Sequence, residues 1–190
     1  MGLNEDVGRR LRALRHGMDV SLSELARRSG VGKGTLSELE SGRRNPTLET
    51  LYALTTALGR PLSAVLGDPA PPGVAAGKEP GVSGGAVTAV LLERYEDGEA
   101  VTDVFRVTIR AGAVQESRAH VPGTSESLMV LAGTAVVGRP DDLATVGPGA
   151  SARWRADVPH VYSAPDGDVQ GVLFVRCPVA AERRDGQGGG

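Results

Sequence analysis

Between residues 33 and 45 the chain reads KGTLSELESGRRN, and the side chains able to do chemistry fall on one face of a short helix. At about 100° per residue, Gly34, Glu38 and Ser41 (i, i+4, i+7) point one way and Leu36 and Leu39 the other. Lys33 and Ser37 flank the polar face, and Arg43, Arg44 and Asn45 follow it. Such a surface, small at its N-terminal end and edged with guanidinium groups, suits close approach to something charged. Lys33 can donate to guanine O6/N7 or to a phosphate. Glu38 can accept from cytosine N4, or simply pair with a nearby arginine such as Arg43. Arg43 and Arg44 need only phosphate attraction, which tolerates loose geometry.

That face must be held by other elements, and the flanking sequence supplies them. In NEDVGRRLRALRHG, Val7, Leu11 and Leu14 share a stripe, with Glu5 and Asp6 in the first turn and Gly17 as a stop, which predicts a first helix. His16, at its end, complements the helix dipole. SLSELARRSG predicts a second helix, capped by Ser21 with Glu24 three residues on as a reciprocal capping box and ended by Gly30. A turn of Gly30, Val31 and Gly32 leads to helix three, from about Lys33 to Ser41. Pro46 and Thr47 open a fourth helix with the stripe Leu48, Leu51, Leu54 and Leu58, and RPLSAVLG adds a short fifth. Two helices joined by a glycine-containing turn, the second presenting small polar groups, have the geometry of a helix-turn-helix.

From LRALRHG to SAVLG the segment resembles the Cro/cI-type (xenobiotic-response-element, XRE) helix-turn-helix family, through the gapless SLSELARRSGV and TLSELESGRRNPTLETL. The resemblance implies a five-helix DNA-binding domain over residues 1–67. It assigns base reading to Lys33, Gly34 and Glu38, and phosphate contact to Ser23, Thr35, Ser37, Arg43, Arg44 and Asn45. Gly32 and Gly34 stand where polar residues are usual, which leaves fewer groups for direct readout and costs about 1 kcal/mol of helix stability at Gly34.

Composition divides the 190 residues in two. Residues 1–67 carry a charge of +3 and residues 68–190 carry −5, for a net −2, so the first half is the candidate for polyanion contact. GDPAPPGVAAGKEPGVSGG, residues 67 to 85, has six glycines and four prolines and cannot build a core; it predicts a flexible linker over 68–85. ERRDGQGGG predicts a disordered tail over 179–190. No apolar run suits a signal peptide or a membrane span, and a cytoplasmic protein is expected. With Cys177 the one cysteine, no internal disulfide or four-cysteine zinc site is possible. Any metal must be held by histidines and carboxylates.

After the linker the period changes to two. VFRVTIR alternates, SLMVLAGTAVVGR holds two apolar runs about an Ala-Gly turn, and VQGVLFVRC closes a domain of short strands, which predicts a jelly roll or closed barrel over 86–178. Arg106, Arg110, Trp154 and Tyr162 are candidates to line it, and Cys177 reads as a buried apolar group.

Two stretches, HVPGTSESLMVLAGTAVVG and GPGASARWRADVPHVYSAPDGD, resemble the two cupin motifs, implying an all-β cupin (double-stranded β-helix) domain. By that resemblance His120, Glu126 and His160 are candidate ligands of a divalent metal (Fe, Mn or Zn), in a facial arrangement with open positions. With Tyr162 they also form a candidate pocket for a small organic ligand. The first motif lacks its HxH, since Ala119, Val121 and Pro122 surround His120. Ser127 follows Glu126 where many regulators carry His, and Gly149-Ala150 replaces the usual Gly-Asp turn. Metal site, metal-free ligand pocket and internally bonded histidines all remain open.

The two resemblances together imply a bacterial transcription regulator, not an enzyme: a homodimer on an inverted-repeat duplex operator, tuned by a small-molecule effector in the barrel. The layout also resembles the iron-dependent hydroxypropylphosphonate epoxidase, although the first-motif ligand spacing there is shorter and the Arg43-Arg44 edge favours DNA. A barrel that only dimerises is the third reading.

Overall fold

The computed structural model describes residues 3–69 and 81–179; residues 70–80 of the expected linker and 180–190 of the expected tail lie outside them. Five helices come first, α1 (Leu3–Gly17), α2 (Leu22–Ser29), α3 (Lys33–Glu40), α4 (Leu48–Ala57) and α5 (Ser63–Leu66). Ser21 Oγ accepts from Glu24 N–H at 3.1 Å, as the cap of α2 requires. The second half of the expected capping box is not formed, because the Glu24 carboxylate turns to Arg27 and Arg28 on its own helix, at 2.7 Å each. Gly30 ends α2 at φ +71°, a conformation that favours glycine. Thr47 caps α4 from outside, accepting from Thr50 N–H, so that helix begins one residue later than expected.

Gly8 lets α1 and α3 touch: a Cβ there would lie 2.2 Å from Leu39 O. A second tie joins the same helices. Arg15 of α1 donates through Nε and Nη2 to the two carboxylate oxygens of Glu40, both at 2.7 Å, and through Nη1 to Val20 O at 3.0 Å. Both side chains are more than nine-tenths buried, so the pair is shielded from water and fixes the C-terminal end of α3.

Ten strands follow: β1 (Gly81–Ser83), β2 (Val87–Glu96), β3 (Ala100–Ile109), β4 (Val114–Ser117), β5 (Ser125–Ala132), β6 (Ala135–Arg139), β7 (Asp142–Val146), β8 (Ser151–Arg155), β9 (His160–Ser163) and β10 (Val169–Pro178). They form a six-stranded sheet, β1-β2-β3-β10-β5-β8, and a four-stranded sheet, β4-β9-β6-β7, antiparallel throughout. This is the two-sheet jelly roll expected of a cupin. The strand β1 falls inside the stretch read as linker. Strict alternation decides what faces the interior: Glu126, Leu128 and Val130 point inward from β5, His160 and Tyr162 from β9.

The two halves share one apolar core, from Leu11, Leu25, Leu36 and Leu51 through Val82 and Leu91 to Phe105 and Leu128. Polar ties cross the same boundary. Ser63 N–H of α5 donates to Asp103 Oδ2 at 3.2 Å, Arg94 Nε donates to Ser63 Oγ at 2.9 Å, and Glu49 of α4 accepts from Gly85 N–H at 2.7 Å. Burial pushes the Asp103 carboxyl up, against the pull of Ser63 and Arg94.

Candidate functional site

Two clusters carry chemistry. On α3, Leu36 and Leu39 are buried against α1 and α2, which leaves Lys33, Gly34 and Ser37 exposed and Glu38 half-exposed on the opposite face. Thr35 is partly covered. Gly32 caps α3 without a side-chain bond, so the first N–H groups of the helix have no capping side chain over them. A Cβ at Gly34 would meet nothing within 4 Å, which marks the N-terminal end of this face as open. Ser23, Arg43, Arg44 and Asn45 are all exposed. Glu38 pairs with Arg44, at 3.2 Å, not with Arg43 as sequence spacing suggested; the turn after α3 carries Arg44 back over the helix. Asn45 is bonded to Asn4 of α1.

The second cluster lies between the two sheets. His120 Nε2 is 3.0 Å from Glu126 Oε1, His160 Nε2 is 3.4 Å from Glu126 Oε2, and the Tyr162 hydroxyl donates to Glu126 Oε2. Donor atoms of His120, Glu126 and His160 all lie within 4.8 Å of one another. Each is placed by its element. Glu126 sits opposite Trp154 of β8 and Val175 of β10, and His160 opposite Ser117 of β4. His120 N–H donates to Ala156 O at 2.8 Å, and Asp157 accepts from Gly123 N–H at 2.9 Å, which pins the loop carrying His120. All three are buried, Glu126 and His160 to 1% exposure.

The His160 Nδ1 contact with Val158 O, 2.9 Å, requires the proton on Nδ1. In the neutral ring Nε2 then turns a lone pair toward Glu126, and it has no hydrogen-bond partner among the described residues. Burial raises Glu126, but the hydrogen bonds from His120 and Tyr162 outweigh it, so the carboxyl stays below its usual range. Burial lowers His160, which favours the neutral ring, and raises the Tyr162 hydroxyl far above its usual value. A lone pair facing a carboxylate is a donor set short of a cation. The residues thus fit a divalent metal of borderline character.

Of the other barrel candidates, Trp154 and Tyr162 are buried beside the cluster, with ring centroids 5.8 Å apart. Arg106 and Arg110 face outward; Arg110 bonds Gly85 O. Cys177 is buried.

Sequence reasoning missed Tyr52. From α4 its ring stacks on His120, centroids 4.0 Å apart and planes 12° from parallel, so the helical domain roofs the barrel cluster. Its place beside Leu51 in the α4 stripe was the available signal. It also missed the Arg15–Glu40 pair, which joins distant segments and has no local spacing.

A helix-turn-helix family model matches residues 11–65. Over 154 residues the chain is 30% identical to the HTH-type transcriptional regulator SutR of Escherichia coli (strain K12), covering 80% of this chain and 83% of that relative. This chain belongs to the HTH-type transcriptional regulators. The fold of the regulator is shared with a helix-turn-helix family transcriptional regulator from Vibrio cholerae, TM-score 0.76 and 23% identity, over 93% of this chain and 98% of that one. The hydroxypropylphosphonic acid epoxidase of S. wedmorenis superposes at a TM-score of 0.42 and 21% identity over 92% of this chain and 99% of the enzyme, a likeness too slight to bear on chemistry. Membership of the family implies DNA as the macromolecular ligand of the regulator. Among its described residues no helix is long and apolar enough to cross a membrane.

Proposed function

We propose that the regulator binds an inverted-repeat duplex as a homodimer, with α3 in the major groove, and that the barrel tunes that binding without catalysing a reaction. Lys33, Gly34 and Glu38 face base edges; Ser23, Thr35, Ser37, Arg43, Arg44 and Asn45 meet phosphates. The observation that carries this is the division of α3: Leu36 at 0% and Leu39 at 3% exposure on one side, an open polar face with unobstructed space over Gly34 on the other. One recognition helix reads few base pairs, so two half-sites one helical turn apart are required for specificity. The outer face of the six-stranded sheet supports pairing of chains there, because Met129, Leu131 and Phe174 are exposed and Val172 lies directly opposite Met129.

Within the barrel, His120, Glu126, His160 and Tyr162 form the effector pocket. His120, Glu126 and His160 would hold a divalent cation; when bound it would offer a Lewis-acidic centre to an oxygen or nitrogen of the effector. The chain's own part is to orient the donors, through Val158 O on His160 and Tyr162 on Glu126, and to exclude water by burial beneath Tyr52.

Fluorescence anisotropy on a duplex recovered by binding selection tests the reading. Replacing Arg43 and Arg44 with Ala should weaken binding to all sequences and flatten the salt dependence by about 0.9 for each phosphate left without its cationic partner. Lys33→Ala or Glu38→Ala should shift preference at one base pair per half-site by about 1–3 kcal/mol. Unchanged slope and unchanged selected sites would overturn it.

A further inference from the structure

Between the helical domain and the barrel lies a cleft of about 540 Å³, within the range of small-molecule sites. Three bridges frame it: Glu49 on Gly85 N–H, Tyr52 stacked on His120, and the Arg118 guanidinium, 3.6 Å from where a Cβ on Gly30 would sit. Each wall offers one acid and one base. The helical wall has Arg28 and Glu49, of which Arg28 is held by Glu24 at 2.7 Å and Glu49 by Gly85. The barrel wall has Glu116 and Arg118, whose side chains are exposed and unbonded among the described residues, while Gln115 and Ser117 between and before them point inward. Glu116 is on β4 and Arg118 is one residue past its end, where the alternation of exposed and buried residues continues, so both line the cleft. Val31, Tyr52, Ala53 and Ala57 add apolar surface. At the floor, His120 is 5% exposed by side chain and its Nδ1 has no hydrogen-bond partner.

We propose that this cleft binds a small zwitterion with an apolar side chain, of the amino-acid class, its carboxylate on Arg118 and its ammonium on Glu116. A zwitterion answers both free groups of the barrel wall, whereas a singly charged ligand answers only one and so forgoes half of the charge-assisted contacts. The apolar part lies along Tyr52 and Val31. This site is distinct from the interior pocket around Glu126, yet it shares His120 with it.

Its position gives it a lever. Ser29, the last residue of α2, and Gly30 and Val31 of the turn that leads into Lys33 line the cleft. Ser29 Oγ donates to Leu25 O at 2.7 Å and accepts from Val31 N–H at 3.2 Å. A ligand here touches both the turn and the barrel loop, so it alters DNA affinity to the extent that it binds the two arrangements of the domains unequally. That last step rests on the DNA-binding reading above; occupancy of the cleft does not.

Calorimetric titration of the full chain with leucine, methionine, valine and phenylalanine tests the site, with isoamylamine and isocaproate as singly charged counterparts of leucine. At least one amino acid should bind saturably, one per chain, more tightly than its single-charge counterparts. Arg118→Ala and Glu116→Gln should each weaken it about tenfold or more, as loss of a charge-assisted hydrogen bond implies. Failure of all four to bind, equal binding of isocaproate or isoamylamine, or indifference to both substitutions overturns the proposal. Duplex retention is measured on the same samples: amino-acid binding without it supports the cleft and overturns the DNA reading, and retention without amino-acid binding does the reverse.

Discussion

Single side chains decide how firmly the reading face is presented. Glu40 is the clearest, because it is the buried partner of Arg15 and carries no DNA-facing role of its own. Glu40→Ala leaves a guanidinium without its counter-ion in a water-poor site, which should lower unfolding free energy by about 3–5 kcal/mol in urea titration. Little change would mean that water reaches Arg15. Asp157 offers a pH-dependent counterpart. Its hydrogen bond from Arg155, with that from Gly123 N–H, holds its carboxyl at about 2. A folded-state value below the unfolded value of about 3.9 contributes stability above that pH and loses it as pH falls through the folded value. Asp157→Asn should therefore lower the urea midpoint at pH 7, and the gap to the parent should narrow steadily as pH falls from about 4 toward 2. A gap independent of pH would assign the effect to packing.

At the scale of elements, the seat of α3 on α1 depends on Gly8. A methyl group there meets a backbone carbonyl, not a yielding side-chain tip, so Gly8→Ala should cost about 1–3 kcal/mol through displacement of α3. Duplex affinity should fall with it, and a variant as stable as the parent would show that the helices can separate freely. Gly8 was visible in the sequence as an interior helical glycine, but its neighbour was not, because Leu39 lies thirty-one positions away. The same limit explains what else was legible. Periodicity and capping residues located α1 to α4 within a residue or two, and the stretch 60–67 expected to hold the fifth helix contains α5 at Ser63–Leu66. The convergence of His120, Glu126 and His160 came from the likeness of two motifs to a known pattern, not from spacing. What covers them was hidden: Tyr52 reads as one more core residue of α4 until the helix is seen lying across the barrel. Glu38 does pair with a nearby arginine, as expected, but the turn delivers Arg44 and not Arg43, the example that adjacency offered.

For the whole molecule, the pairing proposed above puts two chains together across the outer face of the six-stranded sheet. Met129→Glu and Phe174→Glu place charge amid that apolar patch without touching the interior. They should convert a dimer to monomers in sedimentation velocity and reduce operator affinity while single-half-site binding persists. Dimers that survive both changes would place the contact elsewhere.

The core that passes from bundle to barrel without interruption also bears on how this chain can be taken apart. A reading head cut away at residue 69 would carry a bare oily flank formed by α4 and α5, and would have Ser63 and Glu49 searching for absent companions. Grafting it onto a foreign sensor requires that flank to be rewritten first, and borrowing only the barrel would uncover His120 to solvent. Here the modules of the gene are not the detachable parts of the molecule.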